Sequence, residues 1–319
     1  EDDLPSTKYQ TISFSTAQII QRPSSNKQLI LDPVPCDPQA NISILTKDDR
    51  DLARKLSRAD PLTSSLLSCR GVVKVTDLTG QTKNKISSFN FVFNIPKGMG
   101  NPRSLRSTLN HDSAAADGKA SSLKQSLIFQ DHRPPLGASY FLGFEKFRLA
   151  NGRTLRVGDC VWEKDLYRHP SRQGLKPEED YTMQHDVYGL GVCLLEIGLW
   201  ESFVIYHGDN ESGGGSPTPS TLLPPSMEKY AGGRGGGDDN EDEVKKAFIT
   251  KEHLVQLAKQ HLPSHMGDKY TQIVVTCLTY PGETSADFGN ATEFEDADGV
   301  LIGVRYIEKV LLKPEGISI

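Results

Sequence analysis

The chain has few cysteines and none at metal-ligand spacing: Cys36, Cys69, Cys160, Cys193 and Cys277 lie far apart and form no C-x-x-C. That pattern excludes a readable zinc ribbon or dense disulfide framework and makes a reducing, cytoplasmic setting the expectation. No charge dominates either, since 36 Lys+Arg stand against 41 Asp+Glu for a net charge of -5. Nucleic acid and anionic membrane surfaces are therefore not expected partners. Long hydrophobic runs are missing. The most apolar stretch, Val187 to Trp200, contains Glu196 and falls short of the ~20 residues that cross a bilayer, so it reads as a core helix and no membrane span is expected. The opening EDDLPSTKYQ has no basic segment leading into an apolar one, so no secretory leader is expected. Without an initiator Met it reads as the beginning of a fragment. The first glycine is Gly71, and no glutamate occurs between Glu1 and Glu145.

What is present is enough for a core. Of the 319 residues, 36% are hydrophobic and 24% charged, which suits one or two domains of roughly 100–200 residues each. Leu52, Ala53, Leu56 and Ala59 predict an amphipathic helix over residues 46–60, with Thr46 as its cap and Pro61 after its end. Arg70 to Val75 and Ser88 to Ile95 read as strands, the second from the alternation of Phe89, Phe91, Phe93 and Ile95 with polar neighbours. Thr79-Gly80-Gln81-Thr82 would be the turn between them. Asn101 and Pro102 have the types of a helix cap and first position before Arg103 to Leu109.

From Asn110 to Ser126 the sequence is polar and predicts a loop, after which Leu127–Gln130 and Tyr140–Phe144 read as strands. Asp186 to Trp200 predicts the most apolar helix. His207 to Glu243 holds nine of 28 glycines, four prolines and the run DDNEDE, so a disordered insertion is expected. Beyond it, Tyr270, Ile273, Val274, Cys277 and Leu278 make one helical stripe and Val300, Val304, Ile307 and Leu311 another. The result is an α+β chain: a small N-terminal sheet with one helix over residues 1–98, then a mainly helical part over 99–319.

Tyr167 to Gly174, YRHPSRQG, followed by His185 to Trp200, HDVYGLGVCLLEIGLW, resembles the C-terminal lobe of eukaryotic protein kinases. His169-Pro170-Ser171 stands where that family has A-P-E, and Asp186-Val187-Tyr188-Gly189-Leu190-Gly191 where it has D-x-W/Y-S-x-G. NIPKGMGNPRSLRSTL, LGFEKFRLANGRTLRVGDCVWEKDLYRHPSRQG and LLEIGLW look like a fungal group of kinase-like domains often found C-terminal to a prion-forming HeLo-type domain. The likeness runs from about Ile44 to the end, outside the Gly-rich insertion. It implies a two-lobed kinase fold, partly truncated at 110–126, with protein partners and a HeLo-type neighbour. It also implies that Asp186 is a buried aspartate anchoring the catalytic loop to the central helix.

Phosphoryl transfer works by positioning and by neutralising phosphate charge, so each required part is identifiable by residue. A glycine-rich loop needs glycines early, and there are none before Gly71. The strand QLILDPVPCD has Val34 where the phosphate-holding lysine is expected, and Lys27 is a poor substitute. The lysine's glutamate partner has no counterpart, Asp48, Asp49 and Asp51 being shorter and expected to face solvent. Gly143-Phe144-Glu145 occupies the metal-binding D-F-G position without its aspartate. Glu145, displaced by two residues, is the weak metal candidate. No H-R-D loop fits in the 17 residues between Leu109 and Leu127, and His111-Asp112-Ser113 has the wrong context.

Bland readings compete with each remaining signal. His261 and His265, flanking the helix-breaking Pro263, read as surface residues, and Cys193 and Cys277 as small core hydrophobes. Lys164, Arg168 and Arg172 form a basic loop that could receive a phosphate, with solvation the default. Glu196 inside the central helix needs a partner or water. The expectation is a catalytically inactive, pseudokinase-type binding and signalling module with no catalytic residues, metal or cofactor. The alternatives are an active kinase with rearranged ligands, which would use ATP and magnesium, and a degenerate or misassembled gene product.

Overall fold

A computed structural model of the chain describes residues 9–21, 27–36, 41–76, 86–112, 126–130, 139–143, 161–174, 177, 179, 183–206, 217–227 and 240–279. The architecture is α+β, an antiparallel five-stranded sheet near the N-terminus and a helical C-terminal part. The chain divides into two compact units, the first holding the elements up to residue 143 and the second those from residue 161.

In the first unit, β1 (Tyr9–Thr11), β2 (Gln18–Gln21), β3 (Gln28–Pro35), β4 (Cys69–Thr76) and β5 (Ile86–Asn94) lie in the order β1-β2-β3-β5-β4. The alternating phenylalanines set the register: Phe89, Phe91 and Phe93 stand opposite Val34, Asp32 and Ile30 of β3. All three rings are buried, each contributing roughly 1.5–3 kcal/mol of apolar burial. Phe91 and Phe93 share a core with Leu52, Ala53 and Leu56 of α1 (Ile42–Leu56), the helix between β3 and β4. The strands expected at Arg70–Val75 and Ser88–Ile95 are β4 and β5, and they pair directly. Their connecting turn lies outside the described residues.

Two prolines in β3 are tolerated for a specific reason. Pairing with β2 stops at Leu31, and the amide of Cys36 donates to the Ser87 carbonyl on the β5 side. Because successive amides alternate sides, the nitrogens of Pro33 and Pro35 face the side where β2 has ended, an edge-like position that needs no donor.

Helix α1 begins earlier than its apolar spacing predicts. Asn41, not Thr46, is the cap, its side-chain oxygen accepting from the amides of Ser43 and Ile44 at 3.0 and 3.3 Å. Thr46 sits a turn inside, where its buried hydroxyl has no hydrogen-bond partner among the described residues. Ala59 lies beyond the helix end, and Asp60 caps the next turn, α2 (Pro61–Ser64). Asp48 and Asp49 are half-buried, whereas the Asp51 carboxylate faces solvent and accepts from Arg54 at 3.0 Å. Burial, with Asp48 adding to it, pushes Asp49 up to about 6.

A second, three-stranded sheet has the order β6 (Gly100–Ser104), β7 (Ser126–Gln130), β8 (Ser139–Phe141). Asn101 and Pro102 belong to β6 at a bulge in its pairing with β7, so they are not the helix start. Ser104 takes that role for α3 (Leu105–Asp112), accepting from the Ser107 amide while donating to the Ser13 carbonyl. The stretch expected as a loop over 110–126 is thus helical through Asp112 and a strand again at Ser126. Residues 113–125 lie outside the described residues.

The second unit contains α4 (Trp162–Asp165), a 3-10 turn at Pro170–Arg172, α5 (Met183–Leu199), the ribbon β9 (Val204–Tyr206) with β10 (Pro217–Pro219), a 3-10 turn at Pro225–Met227 and α6 (Asn240–Thr279). Helix α6 is broken at Gly267, whose φ of 79° is left-handed; Pro263 lies inside the first segment and does not end it. The stripe Tyr270, Ile273, Val274, Cys277, Leu278 is buried against α5. The second stripe, Val300 to Leu311, lies outside the described residues.

Part of the expected insertion is ordered and packed. Pro217–Pro219 pairs with β9, Leu223 and Met227 are buried, and the His253 ring donates to the Leu222 carbonyl at 2.8 Å. Composition concealed this, because Leu223 and Met227 are buried apolar anchors inside a Pro- and Ser-rich run. Among the described residues no helix is long and apolar enough to cross a membrane.

Helices α5 and α6 touch through missing side chains. A Cβ at Gly191 would lie 2.9 Å from the Cβ of Cys277 and 2.9 Å from the amide nitrogen of Leu278, and one at Gly198 would lie 2.4 Å from Leu262. Overpacking of this kind costs about 1–3 kcal/mol. Gly191→Ala is accordingly expected to lose that amount in a denaturant titration, and a loss below ~0.5 kcal/mol would show the seam to be looser than described.

Candidate functional site

The positions at which the kinase resemblance would place nucleotide-binding groups hold other residues. Val34 is a buried core side chain and Lys27 is exposed. Gly71 sits at a bulge of the outer strand β4, with open space where a Cβ would lie. What β3 does send into the core is Asp32, 1% exposed between Ile30 and Val34. Its carboxylate accepts from the amide of Gly143 at 3.0 Å and from the Thr16 hydroxyl at 3.4 Å. The strand expected to carry the lysine therefore meets the first residue of Gly143-Phe144-Glu145, but with an anion and through a backbone donor. Gly143 has a φ of 88°, which favours glycine. Phe144, Glu145, Cys160 and Ser113 lie outside the described residues, as do the side chains of His111 and Asp112. The signal for Asp32 was present in the sequence: alternation places it on the apolar face of its strand, where a carboxylate needs donors.

In the second unit, His169-Pro170-Ser171 forms a buried polar cluster. Pro170 starts the 3-10 turn, and His169 precedes it in extended conformation. The Lys251 ammonium of α6 lies 3.0 Å from His169 Nε2. An ammonium only donates, so Nε2 accepts and Nδ1 carries the ring proton. Nδ1 then donates to Ser171 Oγ at 2.8 Å, and Ser171 Oγ donates to Glu179 Oε2 at 3.0 Å. The approach of the Ser171 amide to the same Nδ1, at 3.4 Å, is the longer contact and gives way. His185 Nε2, in the first turn of α5, reaches Glu179 Oε2 at 3.2 Å and Ser171 Oγ at 3.4 Å.

This is a continuous chain of hydrogen bonds from a cation to a carboxylate. Burial pushes His169 down to about 3, with the Lys251 charge and His185 adding to the effect. Burial also lowers His185 against the opposing pull of Glu179, and lowers Lys251 against Glu252 and Glu179. The rings of His185, Tyr188 and Phe248 surround His169 at 5.3, 5.5 and 6.1 Å.

The constellation does not have the geometry of a serine nucleophile. Ser171 is 2% exposed with its hydroxyl already engaged. Glu179 approaches the ring nitrogen of His185 that faces the serine, whereas an orienting carboxylate would hold the other one. Among the described residues no group of three or more His, Cys, Asp or Glu could hold a metal ion. The cluster fastens the turn at Pro170 to α5 and α6.

Other expected site residues resolve individually. Asp186 is exposed in the first turn of α5, where a carboxylate complements the helix dipole; it is not the buried anchor that the resemblance implies. Arg168 pairs with Asp165 at 2.8 Å, Arg172 donates to the Glu179 carbonyl, and Lys164 is exposed. Two of the three basic groups are thus already engaged by the chain. His261 and His265 are exposed, and His265 Nδ1 donates to the His261 carbonyl at 2.7 Å. Cys193 and Cys277 are buried core residues.

Glu196 does have partners. It is 2% exposed and accepts from the Tyr167 hydroxyl at 2.7 Å, the Phe203 amide at 2.8 Å and the Ser202 hydroxyl at 3.3 Å. It ties the segment before the turn at Pro170 to the segment after α5. Tyr167→Phe is expected to cost ~1.5–3 kcal/mol and Ser202→Ala about 0.5–1.5 kcal/mol, because the tyrosine bond to the carboxylate is short, whereas the single Ser202 proton has the Val204 carbonyl, at 3.0 Å, as a closer acceptor. Equal losses in matched denaturant titrations would show that the tyrosine bond is not the stronger one. No known protein-family model matches this chain, and no curated protein matches it.

Proposed function

We propose that the chain is a protein kinase-like domain that does not transfer phosphate and serves as a binding and signalling module, of the fungal group found beside HeLo-type domains. The α+β layout supports this reading, with a five-stranded sheet whose third strand is followed by a helix and then a helical part. So does the turn at His169-Pro170-Ser171 ahead of the apolar helix α5. The observation that carries it is Asp32. The residue that β3 turns into the core toward Gly143 is an anion. A carboxylate there repels a polyphosphate instead of neutralising it. The fold resemblance alone does not fix activity, which is why the site residues decide.

The test is titration calorimetry with magnesium-ATP, together with a labelled-phosphate assay on the full chain. No heat of binding and no incorporation are expected. A nucleotide bound at about 10 μM would, at about 1 mM, raise stability by about 2.7 kcal/mol. Such a stabilisation, or magnesium-dependent phosphate incorporation that survives purification, would overturn the reading.

A further inference from the structure

The His169 cluster has a property that does not depend on the kinase resemblance. His169 Nε2 receives the Lys251 ammonium at 3.0 Å, and the ring is 4% exposed. In this geometry the imidazole must be neutral, because a protonated Nε2 would turn its N–H toward an N–H donor of the same charge. We propose that the contact between His169 and Lys251 is an acid-sensitive latch that holds the turn at Pro170 against helix α6 and releases it when the imidazole takes up a proton.

The surrounding groups set the direction. The turn itself supplies Arg172, and Glu179 follows it. Helix α5 supplies His185 and Asp186, and α6 supplies Lys251 and Glu252. The carboxylates of Glu179 and Asp186 favour a charged His185, whereas the charged neighbours acting on His169 are Lys251 and His185, both of which oppose its protonation. Protonation therefore has no compensating partner at His169 while the latch is closed. Once it opens, water solvates the imidazolium and an ordinary value near ~6.5 is restored.

The sign follows by linkage. Between that ordinary value and the lowered one of the closed form, the open state binds more protons, so closure is fully favoured above about pH 6.5 and weakens as pH falls. Well below pH ~6.5 the open population rises about tenfold per pH unit for each histidine that charges on opening, and up to about a hundredfold if His169 and His185 charge together. Opening separates the turn from Tyr188 and from Phe248, which is already 43% exposed.

Amide hydrogen exchange on the full chain from pH 7.5 to 5, corrected for intrinsic rates, tests the latch. The reporters are Arg172 and Gln173, whose amides donate to the carbonyls of His169 and Pro170. Their protection is expected to fall about eightfold between pH 7 and 5.5 from His169 alone, and further if His185 also charges, while that of Tyr270 to Thr279 holds. His169→Gln keeps an acceptor for Lys251 but cannot titrate, and it should remove most of the fall. Should that variant fold poorly, Lys251→Met decides: without the ammonium the closed form tolerates a proton better, so the fall should become shallower. Protection that stays constant to pH 5, or a fall unchanged in either folded variant, overturns the proposal.

Discussion

Close approach of α5 to α6 is the constraint on which the second unit depends. Two helices lie this close only where bulk is absent, and Gly191 and Gly198 remove it at the positions facing Cys277 and Leu262. The Tyr270 hydroxyl then reaches the Leu194 carbonyl at 2.7 Å, a bond that a wider spacing would break. The same approach brings His185 at one end of α5 within range of residues that Lys251 of α6 also serves. The polar cluster is thus a consequence of apolar packing rather than an independent device.

The first unit shows a buried charge used differently. Asp32 interrupts a core-facing row, Ile30 to Val34, opposite Phe91. A carboxylate in such a place is costly unless donors meet it, and the Gly143 amide is one. A backbone donor needs no particular side chain, only a chain path that brings that amide inward. This fixes residue 143 to β3 and makes the left-handed φ at Gly143 part of the contact.

Periodicity made the sheet legible. The alternation in β5 and the apolar stripes of α1, α5 and α6 are long, and both burial and register follow them. Caps were read less well, because several polar residues near a helix start satisfy the same rule, and local geometry chose Asn41 over Thr46 and Ser104 over Asn101. The packed segment 217–227 was hidden by proline and serine content, which reports average polarity and not the two buried apolar anchors within it. For the site, His169 and Ser171 were marked by their motif. Glu179, His185 and Lys251 were not, since their meeting depends on helix packing that no local pattern encodes. The unremarked Asp32 was the readable miss, an acidic residue on the buried face of an alternating strand.

The prolines of β3 bear on how the molecule meets copies of itself. Past Leu31 the strand has no ladder partner on the β2 side among the described strands. An unpaired stretch of extended backbone is ordinarily a template for a strand from another chain. Pro33 and Pro35 present ring carbons where that template would offer N–H groups, so an incoming strand would find acceptors without the alternating donors a ladder needs. The half-edge is thereby closed to intermolecular strand pairing by covalent chemistry, without any side chain having to cover it.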